Sequence, residues 1–503
     1  MALEMKSSSG LSKSCILIIV VASVERFAYK GVASNLLSYL THHVKMSTSS
    51  AAKSVSTWSG VTSMLPLASA ILADSYWDRY STITVSSLLY IMGFVGLTSW
   101  ALLCAWMPTS SLFLPLYLIS LGQGGYNPSL QAFGADQLDT DDERSNKKSL
   151  FFQWWYFGIC SGSLLGNSIM SYIQDTFGWG LGFAIPTCAM AVSVACFLCS
   201  SRVYVHKIPD RPYKFRSKSL IGLENDAEEL ELQAKPLGSA SDCTGGDVAD
   251  EPPGVAKTIL RLLPIWTMLL TFAVIFQQPL TFFTKQGMMM KHSVGQRRTI
   301  VIPPAMLQSA ITMSIILIMP LYDKLIIPFL HLLTGKEKGI TVLQRIGIGM
   351  CLSVIAMVVA AVVESKRIRI LQSGGMLLPH DQPLQLESQL SIFWLLPQYI
   401  LLGISDVFTV VGMQEFFYME VPATMRTIGI ALYLSVFGFG SFLSALLISV
   451  LEFFSKSNGK NQSWFSDDIR EARLDSYYWF LASLSAISFL AFAYLCRHYN
   501  NMN

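Results

Sequence analysis

The stretch Val21-Ala22-Ser23-Val24-Glu25-Arg26-Phe27-Ala28-Tyr29-Lys30-Gly31 sets one acid and two bases inside an apolar run from about Cys15 to Leu40. A charged side chain at the middle of a membrane helix costs roughly 2.5–3.5 kcal/mol on insertion scales, so it normally faces a partner or a watered cavity. At about 100° per residue, Ala22, Glu25, Arg26, Tyr29 and Lys30 share one broad helix face, while Ile18, Val20, Val24 and Phe27 lie elsewhere. The stretch therefore reads as a substrate or proton site at mid-membrane depth; the plainer reading is a neutralised Glu-Arg pair that only packs helices.

The rest of the chain agrees with a membrane setting. Its 503 residues are 52% hydrophobic and only 14% charged, with a mean hydropathy of +0.45. That is too apolar for a soluble protein and long enough for about a dozen spans of roughly 20 residues. The net charge of +3 is small, and the basic residues are scattered rather than striped, which gives nucleic-acid binding no support. Of the nine cysteines, most (Cys15, Cys104, Cys160, Cys188, Cys196, Cys199 and Cys351) stand singly in apolar runs without metal-ligand spacing, so no disulfide or metal is expected. Lys6 and Lys13 precede the first run, but no small-residue cleavage site interrupts it, so that run is expected to stay in the mature protein.

Apolar runs predict spans near 14–40, 54–74, 81–105, 110–135, 149–173 and 178–200, and then near 257–282, 303–322, 341–364, 391–418, 426–452 and 474–497. Between the two sets, residues 201–255 carry a basic half, an acidic half (Asn225-Asp226-Ala227-Glu228-Glu229-Leu230-Glu231) and a Gly/Ser/Pro-rich end, which is linker composition. The expected domains are thus a bundle over 1–200, a cytoplasmic linker over 201–255 and a second bundle over 256–503. A modest Lys/Arg bias places the N-terminus on the cytoplasmic side; Arg297-Arg298 and Lys366-Arg367-Ile368-Arg369 run against it. Asn461-Gln462-Ser463, on the opposite side, matches a glycosylation sequon. Leu72-Ala73-Asp74 with Asp78-Arg79-Tyr80 leaves the second span, and Leu321-Tyr322-Asp323-Lys324 leaves the eighth. Such an echo is expected of a transporter built from two parallel repeats with its substrate site between them.

Glu25-Arg26-Phe27-Ala28-Tyr29, Leu72-Ala73-Asp74, Phe133-Gly134-Ala135-Asp136-Gln137-Leu138-Asp139, Phe151-Phe152-Gln153-Trp154-Trp155, Phe282-Phe283-Thr284-Lys285-Gln286-Gly287 and Gln414-Glu415-Phe416-Phe417-Tyr418 together resemble the plant nitrate/peptide transporter family. This is the plant arm of the proton-coupled oligopeptide transporters in the major facilitator superfamily. The resemblance covers nearly the whole chain. It implies an all-α membrane protein with the major facilitator fold, twelve transmembrane helices in two six-helix bundles, cytoplasmic termini, alternating access and proton-driven uptake. The chain also departs from the family pattern. Ala22 stands where a first glutamate belongs, Lys30 where a second tyrosine belongs, and Asn127 in Gly124-Gly125-Tyr126-Asn127-Pro128 where a lysine belongs. The acid expected to pair with that lysine survives as Asp406. Phe276 stands where nitrate-selective relatives can carry a histidine.

These residues define the expected site. Proton coupling falls to Glu25, Arg26 and Asp406, and the substrate would meet Tyr29, Lys30, Asn35, Asn127, Gln153, Trp154, Phe276, Gln277 and Gln278. Asp74, Arg79 and Asp323 would gate the conformational change. A carboxylate in a partly desolvated cavity can exchange protons as its cationic partner comes and goes. The aromatic group from Phe151 to Phe157 reads as packing, and Gly158, Gly162 and Gly166 read as a close-approach stripe on the fifth span. Pro264, Pro279, Pro303, Pro304, Pro320 and Pro397 fall in or at span ends, where kinks are tolerated. No nucleophile elbow, phosphate loop or metal cluster suggests an enzyme. The expected function is secondary active transport of a small solute in a plasma or vacuolar membrane: nitrate or another small anion, with di- or tripeptides and hormone-like carboxylates as the wider range. No cofactor is expected beyond the proton gradient, and the partners are the solute and the lipid bilayer. The alternative is a transporter-fold sensor or a passive or efflux pathway with little proton coupling, suggested by the missing circuit residues.

Overall fold

The computed structural model describes residues 12–76, 79–103, 108–137, 144–204, 255–294, 300–321, 341–375, 388–421, 426–457, 464–465 and 472–502. Helix α1 (Lys13–Ala33) opens where the Ser12 hydroxyl accepts from the Cys15 backbone N–H at 3.3 Å, satisfying one of the otherwise orphaned first-turn donors. It breaks at Ser34 and Asn35, then continues as Leu36–Ser38 and a π turn at Tyr39–His43. The first half goes on with α2 (Thr48–Tyr76), α3 (Arg79–Leu103), α4 (Phe113–Asp136), α5 (Arg144–Leu165) and α6 (Trp179–Cys199). A π turn at Gly166–Met170 and the helix Ser171–Phe177 extend α5. The second half comprises α7 (Val255–Phe276), α8 (Ser309–Leu321), α9 (Val342–Gly375), α10 (Leu396–Met419), α11 (Arg426–Ser457) and α12 (Leu474–Met502). These segments follow the order of the spans read from the sequence, with bounds that differ where a helix breaks or runs on. Among the described residues, eight helices are long and apolar enough to cross a membrane by composition alone. The remaining long ones, α1, α2, α4 and α5, carry more polar side chains.

Within the first half, α1 packs on α5 and α6, α4 on α2 and α3, and α3 on α6; in the second, α9 packs on α10 and α12, α8 on α10, and α7 on α11 and α12. The halves meet where α2 lies along α11 and α5 against α8. Close approach is built into the sequence. A Cβ at Gly162 would fall on the Ser23 carbonyl oxygen, and one at Gly166 would lie 2.6 Å from the Phe27 carbonyl oxygen, so the glycine stripe seats α5 directly on α1.

One expectation is corrected. The ninth span does not end near Glu364: α9 runs on to Gly375, so Lys366-Arg367-Ile368-Arg369 is helical. Arg367 is no loop charge. It is 0% exposed and donates to Glu364, also 0% exposed, at 2.6 Å from Nη2 and at 3.0–3.1 Å from Nε, while Lys366 Nζ lies 3.6 Å from the centre of the Trp394 ring. Neutralisation inside the bundle and a cation on an aromatic face explain how these charges sit against the positive-inside bias. The helical fold also carries small strand pieces, β1 (Met290–Lys291) beside β4 (Ser388–Ser391) and β2 (Ser293–Val294) beside β3 (Ile300–Val301). They join connecting segments outside the long helices.

Candidate functional site

Glu25, 1% exposed, is held from three sides. Its Oε1 accepts from the Tyr90 hydroxyl of α3 at 2.8 Å. Its Oε2 lies 3.8 Å from Arg26 Nε. From α4, the Asn127 amide, oriented to satisfy both neighbours, donates to Glu25 Oε2 at 3.2 Å and accepts from Arg26 Nη2 at 3.2 Å. The amide thus stands between acid and base, at the position where the family pattern has lysine. Arg26, with 20% of its side chain exposed, places its guanidinium carbon 5.8 Å from the centre of the Tyr29 ring. That ring stacks on Trp58 at 5.7 Å, and the Trp58 indole N–H is tied to the Leu116 carbonyl at 2.9 Å.

One turn beyond Arg26, Lys30 faces Asp406 of α10 across the boundary between the halves. The two are electrostatic neighbours but stand beyond the 4.0 Å of a closed ion pair, and Asp406 Oδ1 is buried without a hydrogen-bond partner. Tyr156 and Cys160 of α5 and Tyr433 of α11 lie within electrostatic range of this carboxylate. Ile315 of α8 and Val407 close an apolar cluster with Cys160. The chain therefore assembles a closed acid-amide-base group in one half, in which Arg26 Nε is left without a hydrogen-bond partner, and a separated acid and base across the two halves.

The other expected residues distribute as follows. Gln277 lies in the break that splits the seventh span into α7 and the short helix Phe282–Met288. Its amide N–H donates to Ser59 of α2 at 3.1 Å and to Ser441 of α11 at 2.6 Å, a bond between the halves. Gln278 turns inward, donating to the Val274 carbonyl at 2.9 Å and meeting the Tyr477 hydroxyl at 3.4 Å. Phe276 stacks on Phe272 and meets Phe437 edge-on, and Asn35 is buried at the break after α1. Trp154 is 51% exposed and packs edge-to-face on Phe157, apart from the Glu25 group. Arg79 opens α3 on the surface. The side chains of Gln153 and Asp74, Asp323, most of the 201–255 linker and the Asn461 sequon lie outside the described residues.

Several residues of this region escaped the sequence reading. Tyr90, Tyr156 and Tyr433 are polar-tipped residues in apolar spans, a mark too common to single out. Gln308, just beyond Pro303-Pro304, bonds the Ser34 carbonyl at 2.8 Å and the Pro279 carbonyl at 3.1 Å. Lys53 Nζ meets Glu452 Oε2 at 2.9 Å. With Gln277, these contacts tie the halves together at the end away from the N-terminus.

The residues 80–221 and 248–465 match the model of the POT family, PTR2. The chain belongs to the POT family. POT-family relatives in Arabidopsis thaliana include protein NRT1/PTR family 5.9, 51% identical with 100% of this chain and 98% of the relative aligned, and protein NRT1/PTR family 5.10, 42% identical over 98% and 94%. Among solved structures, the POT family transporter PepTSo superposes with a TM-score of 0.76 at 19% identity, covering 98% of this chain and 99% of that one. A peptide transporter POT in complex with sulfate gives 0.70 at 14% identity, over 99% and 96%. This POT protein is accordingly a multi-pass membrane transporter with the major facilitator fold, not an enzyme.

Proposed function

We propose that this chain moves a small anion, nitrate or a small carboxylate, by proton-linked alternating access in a plasma or vacuolar membrane, with its N-terminus and the 201–255 loop in the cytoplasm. The observation that carries the reading is the placement of Arg26 and Lys30 one turn apart on α1, with the Asp406 carboxylate of α10, whose Oδ1 has no hydrogen-bond partner, in electrostatic range of Lys30. Ionised Asp406 competes with an entering anion for Lys30. Protonated Asp406 does not, so a proton and an anion load together. Arg26, already compensated by Glu25, adds positive potential without a strong demand for a partner. Membership of the POT family, whose solved structures include a peptide transporter in complex with the anion sulfate, supports this substrate range.

The test is uptake into proteoliposomes holding the full chain, under an inward proton gradient, with nitrate against a neutral dipeptide. Lys30→Tyr should lower nitrate uptake about tenfold, the loss of one close charge interaction, and dipeptide uptake far less. Asp406→Asn should abolish gradient-driven accumulation and spare downhill exchange. Equal losses for both solutes, or accumulation that survives Asp406→Asn, would overturn the reading. Ala22 and Asn127, neutral where the family pattern is charged, favour the second reading, a sensor or passive pathway; flux indifferent to pH in the unmodified chain is its signature.

A further inference from the structure

We infer that Glu25 is a fixed anchor for Arg26, clamped by Tyr90 and Asn127, and that, of these two carboxylates, the exchangeable proton of this transporter resides on Asp406. The inference rests on the transport reading above and deepens it. A group that picks up and releases a proton in each cycle must gain and lose its partners. Glu25 has partners on both oxygens: Tyr90 at 2.8 Å on one, Asn127 at 3.2 Å and Arg26 at 3.8 Å on the other. All belong to α1, α3 and α4, within one half of the molecule, so relative motion of the halves leaves the arrangement intact.

Asn127 is the decisive residue. A primary amide presents a donor and an acceptor from one planar group, and here the donor meets the carboxylate while the acceptor meets the guanidinium. It ties acid to base without carrying charge, so it cannot serve as an alternative ionic partner. Around Glu25 the titratable and charged groups are Arg26 and Tyr29 of α1, Tyr90 of α3 and Tyr126 of α4. Among the described residues, none comes from the opposite half. Asp406 is the reverse case. Its Oδ1 has no hydrogen-bond partner, and the groups facing it are Lys30 of α1, Tyr156 and Cys160 of α5 and Tyr433 of α11. Lys30 and α5 lie in the other half, so movement between the halves changes what Asp406 meets.

Infrared difference spectra of the purified full chain, acidic minus neutral buffer, test the assignment without requiring transport. The carboxyl band that appears on acidification should persist in Glu25→Gln and vanish in Asp406→Asn. Tyr90→Phe, which keeps every charge but removes one donor to Glu25, should add a second band. In proteoliposomes, Glu25→Gln should hold the midpoint of the pH profile for nitrate uptake within about 0.3 unit. It should also lower the nitrate KM about three- to tenfold, because Arg26 has lost its counter-charge. Asn127→Asp, which sets a second carboxylate against Glu25, should add an inflection to the profile. Loss of the band in Glu25→Gln, or a midpoint shift of about one unit or more, would overturn the inference. Failure of all nitrate uptake in the unmodified chain would instead overturn the transport reading, leaving the spectra to decide the clamp.

Discussion

Glu364 and Arg367 form an ion pair sealed from solvent, and its stability follows from the asymmetry of buried charge. Removing one member strands the other without its partner, a loss of about 3–5 kcal/mol, whereas replacing both by apolar groups is often neutral. Arg367→Met should therefore lower the unfolding midpoint in detergent sharply, and Glu364→Leu with Arg367→Met should recover most of the loss. Equal midpoints for single and double variants would mean that the two charges are not coupled. Neither this pair nor the Glu25–Asn127–Arg26 group was legible as such. The sequence marks Arg367 as one cation in a basic run, and only its (i, i+3) neighbour and the closing of α9 against α10 and α12 make it interior. Asn127 was visible as a missing lysine, yet an amide spanning acid and base requires α4 to meet α1, and no spacing along the chain encodes that meeting.

Among elements, the site draws on both the helices that are apolar enough to be unmistakable spans and those that are not. The Glu25–Arg26–Asn127 group and Lys30 sit on α1 and α4, and α5 contributes Tyr156 and Cys160, all helices of weaker hydropathy, whereas Tyr90 on α3, Asp406 on α10 and Tyr433 on α11 come from helices apolar enough to span. Their boundaries were still legible, because crossing a bilayer demands about 20 residues whatever face is polar. The break in the seventh span was not, since Gln277-Gln278-Pro279 interrupts an apolar run without lowering its average much. The glycine stripe of α5 was read correctly as close packing, and its members differ in tolerance. A methyl at Gly158 would meet the Ser23 hydroxyl oxygen at 2.5 Å, a side-chain group that donates to the Ile19 carbonyl at 2.7 Å and can turn aside only by giving up that bond. At Gly162 the obstacle is a backbone carbonyl, which cannot move aside. Gly158→Ala should fold with a small loss, while Gly162→Ala should cost about 1–3 kcal/mol of overpacking and reduce uptake; matching melting curves for the two variants would refute this contrast.

For the molecule as a whole, the two-bundle arrangement was legible from twelve apolar runs and one polar interval, whereas the conformational state was not, because a sequence is common to every state. Lys53 with Glu452, Gln277 with Ser59 and Ser441, and Gln308 with Ser34 hold the halves together at the end away from the N-terminus. The Lys53–Glu452 pair keeps 30% and 18% of its side chains exposed, so it is worth about 0.2–1 kcal/mol and biases the balance of states by a factor of roughly 1.4–5. Lys53→Met should shift spin-label distances between that end of α2 and of α11 toward longer values in a larger fraction of molecules, and Lys53→Glu with Glu452→Lys should reverse the shift. An unchanged distribution would remove the pair from the gate. The seat of α5 on α1 has a mechanical consequence as well. Two helices in backbone contact cannot slide past each other, so they act as one rigid spar, and Lys30 is bolted to it. Were the bundles to pivot as proposed above, the gap from Lys30 to Asp406 would change with angle alone, so the spar would turn tilt into voltage at the carboxylate, and the proton would read the position of the lever.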